Sequence, residues 1–416
     1  MVWAGAAVVD VTPVAGSAMS GFVARSSPST GVHDPITVRA LCVDDTALLT
    51  VDVVGLHEDF CAAVARGTSL PADNVRVHAT HTHGGPASMP GRLGDAADPV
   101  WLRSLEQACI GAVHEALSSR RPAQLLSGYG AEVDVAQNRR RSDGPVDRSL
   151  PVAQLVGLDG LPIAVLASYA CHPVVLGADN TLLTADYPGV ARRVIEQRFP
   201  GAIALFLTGC AGDANTGHAA SASVTLQAGA DRTFAAAEAA GTTIAEAVIA
   251  ARLESCDGPV TAAVGHTDLT IAPDEQLGDA PRWQELASRP ETDPAQLALL
   301  RCWTSWAARL ATSPQSTWSA RVGVLNWGGV RIVTLPGEPF AQTGQAIRAA
   351  LPRGTGAVFV AGYTDGCPGY LAPACEYELG GYEILEAHRY YGMPGPFAPG
   401  SAERLAAAAQ ALFPTA

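Results

Sequence analysis

Two short runs constrain the fold more than anything else in the chain. Residues 163–169 (IAVLASY) and Ile203–Thr208 (IALFLT) are apolar at consecutive positions. A strand of that kind must be covered on both faces, as in sheets with helices packed on either side. Residues 75–78 read as a third short buried strand. Helical signals lie between such runs. Over 98–119, Asp98 stands as the cap and Pro99 in the first turn. Trp101, Leu105, Ala108, Ala112, Val113 and Leu117 then form one stripe. Residues 234–253, 293–310 and 401–413 read as further helices. Residues 40–54 read as a hairpin turning at Asp44-Asp45, and 321–335 as one turning at Trp327-Gly328-Gly329. Residues 357–360 are another short strand. The expected fold class is α/β, with a mixed β-sheet core and surrounding helices. No Pro/Ser linker divides the chain, so a single domain over 1–416 is expected. Residues 272–318 are the candidate for a helical insertion or lid.

Chemistry-bearing residues gather where these strands end, which is where open α/β sheets build sites. His78-Ala79-Thr80-His81-Thr82-His83-Gly84-Gly85-Pro86 places three of the chain's ten histidines in six residues. His81 and His83 are expected to point to different sides. One is then a metal-ligand candidate, and the other a neighbour or an acid/base. Cys171-His172-Pro173 follows the strand at 163–169, and Asp186 stands where a helix begins near Pro188. Taken alone, His172 reads as a core histidine and Asp186 as a helix cap. Gly209 to Gly217 follows the strand at Ile203–Thr208. Its glycines allow either a plain tight turn or backbone N–H groups converging on an anion. Glu338, after Leu335-Pro336-Gly337, is either a cap or a hard oxygen ligand. Most of the nine tyrosines fall within 363–391, as lining or as packed surface. Two histidines and a glutamate would leave zinc an open position, as in metal hydrolases. No HExxH is present, so the fold must bring the ligands together.

Composition removes whole classes. The 27 basic residues are all arginine, so no lysine is available for a Schiff base, a Walker loop or a kinase strand. The codon bias of a GC-rich, bacterial genome accounts for that. A net charge of -13 disfavours nucleic acid and anionic membranes as partners. The opening MVWAGAAVVDVTPVAG does not read as a signal peptide, and no apolar run reaches the ~18 residues of a membrane span. Nine scattered cysteines read as free thiols, and so as a cytoplasmic protein. No signature sets the oligomeric state.

Taken together and in order, these segments resemble the catalytic domain of the neutral/alkaline (non-lysosomal) ceramidase family. The resemblance rests on AGAAVVDVTP with MSGF, Gly31-Val32-His33-Asp34 leading to Arg39-Ala40, and THTHGGP. It continues through Gln137-Asn138-Arg139, CHPVV with ADNTLLTADYPG, LPGEPF, and GYTDGCPGYLAPACEYELGGYE. These cover most of 1–392. The resemblance implies Zn2+ held by His81, His172, Glu338 and Tyr370 at the carboxyl ends of strands. It implies His83 as acid/base, Arg139 as a substrate- or oxyanion-binding cation, and Asp186 as a supporting carboxylate. Where the family carries a serine nucleophile, this chain has Asn215. Metal-activated water is therefore the expected attacking group, with Asn215 as a hydrogen-bond donor. No C-terminal β-sandwich domain is expected after the tyrosine-rich motif.

The expected function is a zinc-dependent hydrolase cleaving the amide (N-acyl) bond of a small-molecule or lipid-like substrate. Two alternatives stand beside it. One is an acyl-transfer or ring-closing enzyme using the same site. The other is a non-catalytic zinc-binding homologue.

Overall fold

The computed structural model describes residues 1–93, 97–220, 222, 225–310, 315–351, 354 and 356–413. Strand β1 (Val2–Asp10) pairs antiparallel with β2 (Thr37–Val43), and β2 with β3 (Thr46–Val51). Strand β4 (Val75–Ala79) then lies parallel to β3. On its other edge β1 meets β5 (Arg121–Tyr129), which pairs with β6 (Pro151–Gly157). Strand β7 (Pro162–Tyr169) follows antiparallel, and β8 (Ile203–Thr208) parallel. The order is β8-β7-β6-β5-β1-β2-β3-β4, with β9 (Arg252–Cys256) added to β5. A second sheet runs β10 (Val260–Thr270), β11 (Thr317–Trp327), β12 (Val330–Thr334) and β13 (Val358–Ala361). Its last pair is parallel.

The two sheets share one apolar core. Leu41, Leu48, Leu125 and Leu205 of the first pack with Leu325, Trp327 and Phe359 of the second. Helices α1 (Glu58–Gly67) and α2 (Pro99–Ser118) cover β1 to β4 on the opposite face. Helices α3 (Asp186–Arg198) and α4 (Phe234–Ile249) cover β7 and β8. Covering on both sides is what the unbroken apolar strands required. Asp98 caps α2 as expected, accepting from the Val100 N–H at 2.8 Å. The helix expected over 234–253 ends at Ile249 instead. Arg252–Cys256 finds five partners on β5, and that pairing overrides local helix propensity.

Among the described residues, two α-helices stand between the paired strands β10 and β11. Helices α5 (Ala280–Ala287) and α6 (Pro294–Arg309) bury Trp283, Leu300 and Trp306 against each other. Residues 311–314 lie outside the described residues. The Arg389 guanidinium sits 4.9 Å from the Trp283 ring and 4.7 Å from that of Trp303. The Trp306 indole donates to Met393 O at 2.7 Å. Helices α7 (Ala341–Ala350) and α8 (Ser401–Gln410) follow later in the chain. Among the described residues no helix is long and apolar enough to cross a membrane.

The topology gathers strand ends in one place. The Thr208 N–H, at the end of β8, donates to His78 Nε2 at 3.0 Å, and its hydroxyl to Thr80 O at 2.7 Å. The segment leaving β13 bridges to both, pairing Ala361 with Gly209 and Thr364 with His78. The carboxyl ends of β4, β8 and β13 therefore converge, and each is followed by a chemistry-bearing loop.

Candidate metal centre

His81 lies two residues beyond β4 with a left-handed backbone, φ 65°. That conformation is uncommon outside glycine and concentrates at functional sites. The expectation that His81 and His83 diverge fails, because residues two apart share a face even in extended backbone. Their Nε2 atoms are 3.3 Å apart. His172, three residues beyond β7, joins them, and one nitrogen from each ring lies within 4.8 Å of the others.

Glu338 completes the cluster. It stands in a two-residue strand, Glu338–Pro339, paired in parallel with Tyr370–Leu371. Helix α7 starts only at Ala341, so Glu338 is not its cap. Its Oε2 is 3.3 Å from His81 Nε2 and 2.9 Å from His172 Nε2. All three side chains are fully buried. At 2.9 Å His172 Nε2 and Glu338 Oε2 are close enough to bond, yet both remain without a hydrogen-bond partner.

Backbone carbonyls set the tautomers. Val54 O faces Nδ1 of His81, and Ala211 O faces Nδ1 of His172. An N–H at each Nδ1 leaves each Nε2 a bare lone pair aimed at the carboxylate. Such a carbonyl on the far nitrogen is the usual support of a metal-bound histidine. Three nitrogens and an anionic oxygen, buried with two atoms unpaired, are a donor set that fits a divalent cation. Burial opposes the Glu338 charge, but the His81 and His172 rings outweigh it and hold the carboxyl well below its usual range. Burial and the nearby Arg139 charge push His172 down to about 4. Burial, then the neighbouring rings, take His83 well below its ordinary value. Neutral imidazoles are the form a metal requires.

Tyr370 and Arg139 flank the cluster. The Tyr370 ring stacks toward His172 at a centroid distance of 6.4 Å. Arg139 donates to the Tyr370 oxygen at 2.9 Å and to Glu383 Oε1 at 2.8 Å. Glu383 also accepts from Arg140 at 2.6 Å, and Arg140 reaches Glu376 at 3.0 Å. These four charged side chains are nearly fully buried, and they lock the 138–141 segment onto the tyrosine-rich one.

Two expected residues are engaged elsewhere. The Asn215 amide closes its own turn. Its oxygen accepts from the Gly217 and His218 N–H groups at 2.8 and 2.9 Å, and its nitrogen donates to His218 O at 2.7 Å. The Asp186 carboxylate accepts from the Tyr187 N–H at 2.6 Å and from that of Leu176 at 3.2 Å. Burial, with Asp34 nearby, lifts its carboxyl to about 6. The Gly209–Gly217 loop packs as a turn whose N–H groups are in part taken up by carbonyls. Gly209 donates to Tyr169 O, Gly212 to Pro339 O and Ala214 to Ala211 O. A Cβ at Gly212 would fall 2.5 Å from Glu338 O, so glycine there lets the loop touch the Glu338 strand.

Sequence reading missed two tyrosines that face the centre. Tyr391 donates to Glu338 Oε1, leaving only Oε2 for a cation. Tyr363 stacks on His81 with centroids 4.1 Å apart, and its buried hydroxyl has no partner. The GYTDG segment marked a loop of interest, but nothing local marks which tyrosine turns inward.

No protein-family model matches the chain. In sequence it is similar to neutral ceramidase A of Dictyostelium discoideum, 23% identical over 236 residues, which cover 49% of this chain and 33% of that one. Neutral ceramidase B of the same organism is 22% identical over 228 residues, covering 47% and 32%. The match thus spans about a third of these relatives' length. In structure the chain is similar to a ceramidase complexed with C2, with a TM-score of 0.75 and 16% identity. That match covers 100% of this chain and 76% of the other. The neutral ceramidase from Pseudomonas aeruginosa matches with a TM-score of 0.75 and 15% identity, covering 99% and 73%. The chain is related in sequence to neutral ceramidases and has their fold.

Proposed function

We propose that the chain is a zinc-dependent hydrolase cleaving the amide bond of an N-acyl, lipid-like substrate. One observation carries this reading. His81, His172 and Glu338 converge in a fully buried cluster in which His172 Nε2 and Glu338 Oε2 lack any hydrogen-bond partner. The likeness to neutral ceramidases supports the reaction class. Zinc bound there would polarise a carbonyl oxygen and lower the pKa of a water molecule.

The ligand set is His81, His172 and Glu338, with Tyr370 at its edge. His83 has the proton-transfer role. Its Nδ1 is buried without a partner, so no carbonyl fixes its proton as Val54 and Ala211 fix those of the other two. Arg139 stays charged. Burial disfavours that charge, but Tyr370 and Glu383 outweigh it. It orients Tyr370 and a substrate oxygen and cannot act as a base. Asn215 and Asp186 are positioning residues. The Asn215 turn presents Ala214 O, which accepts from the His172 N–H at 2.9 Å.

The test combines elemental analysis with turnover of an N-acyl amide panel. About one zinc per chain and release of free fatty acid are expected, both lost in His172→Ala. No bound zinc, with full activity in His81→Ala and His172→Ala, would end the proposal. Product mass separates hydrolysis, which adds water, from ring closure, which loses it.

A further inference from the structure

A cavity of about 420 Å³ lies between the 16–28 loop, residues 91–93, Tyr390 and helix α6. Its floor adjoins the metal-site loop. The Phe22 ring lies 5.0 Å from that of His83, and Gly21 leaves no space for a side chain, since a Cβ would come 2.7 Å from His83. The cavity and the cluster are therefore neighbours that meet at the Phe22 and His83 rings.

Its charge is opposite to that of the molecule. The chain carries a net -13, yet the lining contains Arg25, Arg301 and Arg309 and neither aspartate nor glutamate. Arg25 is 6% exposed and makes no ion pair among the described residues. Carbonyls of Ser20 and His83, each at 2.6 Å, and of Asn180, at 3.3 Å, hold its terminal nitrogens. Its Nε is buried with no partner. A second guanidinium, that of Arg232, lies 5.5 Å from the same Phe22 ring. Arg301 and Ser305 are four residues apart on α6, and so on one face, opposite Arg25. The Asp179 carboxylate acts on Arg25 only from beyond ion-pair distance, and a buried guanidinium without a close counter-ion is costly unless an anion is supplied. Arginine is also the side chain suited to carboxylate and phosphate.

We propose that this cavity binds an anionic group, carboxylate or phosphate, on the substrate whose amide lies at the histidine cluster. This rests on the amide-hydrolase reading above, and it narrows the substrate from a neutral lipid amide to an acidic N-acyl compound. Helix α6 is then a substrate-binding wall.

The experiment is calorimetric titration of the zinc-free full chain, so that nothing is turned over. The probes are N-octanoylglycine, N-octanoyl-phosphoethanolamine and the neutral N-octanoylethanolamine. At least tenfold tighter binding of one or both anionic probes is expected, weakening with added salt. Arg301→Glu should remove that preference and Arg301→Gln should reduce it. Arg301 is exposed, so neither change threatens the fold. Which anionic probe binds tighter tells carboxylate from phosphate. Equal binding of all three, undetectable binding, or a preference unchanged in Arg301→Glu overturns the inference. The two proposals fail separately. Selective binding with no zinc-dependent turnover removes the hydrolase, and turnover with no anion preference removes only the acidic substrate.

Discussion

His172 Nε2 and Glu338 Oε2 lie 2.9 Å apart in the fully buried heart of the protein, and neither atom has a hydrogen-bond partner. Such a pair is expensive without a shared cation. Zinc should therefore stabilise the fold. At 100 times its dissociation constant a ligand of the native state adds about 2.7 kcal/mol. A clear rise in Tm on adding zinc to chelator-treated protein is expected. It should vanish in His172→Ala and in Glu338→Gln. An unchanged Tm in the parent protein would count against the centre.

Tyr363 offers a sharper test, because one atom separates two roles. Its hydroxyl is buried and unpaired, while its ring stacks on His81. If the hydroxyl only fills space, Tyr363→Phe removes a desolvated polar group and stability stays equal or rises by about 1 kcal/mol. If it also bonds the reacting group, kcat falls at least tenfold with KM and zinc content unchanged. We expect both effects together, read by urea denaturation and steady-state kinetics. Unchanged kcat would leave Tyr363 a packing residue.

The bridge made by Arg139 should not tolerate lysine. Its fork reaches Glu383 and Tyr370 at once, and a single ammonium cannot reproduce that geometry. Arg139→Met leaves Glu383 with only Arg140 and should cost about 3–5 kcal/mol. Arg139→Lys should fold with a smaller loss but show strongly reduced activity. Matching denaturation midpoints with full activity in Arg139→Lys would contradict this.

The pH dependence of stability should carry the mark of His78. Its Nε2 accepts from the Thr208 N–H, so its proton sits on Nδ1, facing Gly362 O and Thr364 at 3.0 Å. Burial, only partly offset by the Gly362 bond, pushes it down to about 3. Above the ordinary value near 6.5, neither the folded nor the unfolded state is protonated there. As pH falls from about 6.5 toward 3, only the unfolded state takes the proton. Stability then drops by about 1.4 kcal/mol per pH unit for this group. His83 and His172 act in the same direction. Unfolding free energies between pH 7.5 and 4.5 should slope about one proton less steeply in His78→Gln than in the parent. Identical slopes would refute the assignment.

Much of this architecture was legible locally. The buried strands, the capped α2 and both hairpins follow from apolar runs, an aspartate before a proline and paired turn residues. These signals act between neighbours in sequence. The boundary at Ile249 was not legible, because the strand beginning at Arg252 exists only through its pairing with β5.

For the site, residue types and order along the chain marked the histidine loop, His172 and Glu338 as candidates. Only the tertiary structure decided their geometry. The fold brings the Nε2 atoms of His81 and His83 to 3.3 Å from each other and His172 beside them. Carbonyls of Val54 and Ala211, distant in sequence, choose the tautomers. Tyr391 takes one oxygen of Glu338, while Asn215 is drawn into its own turn. The absence of lysine, legible at once, restricted every fixed side-chain cation to arginine or histidine. The fold alone gathered Arg25 and Arg301 around one cavity. Convergence of side chains over hundreds of residues depends on sheet order and close packing, and no local pattern encodes it.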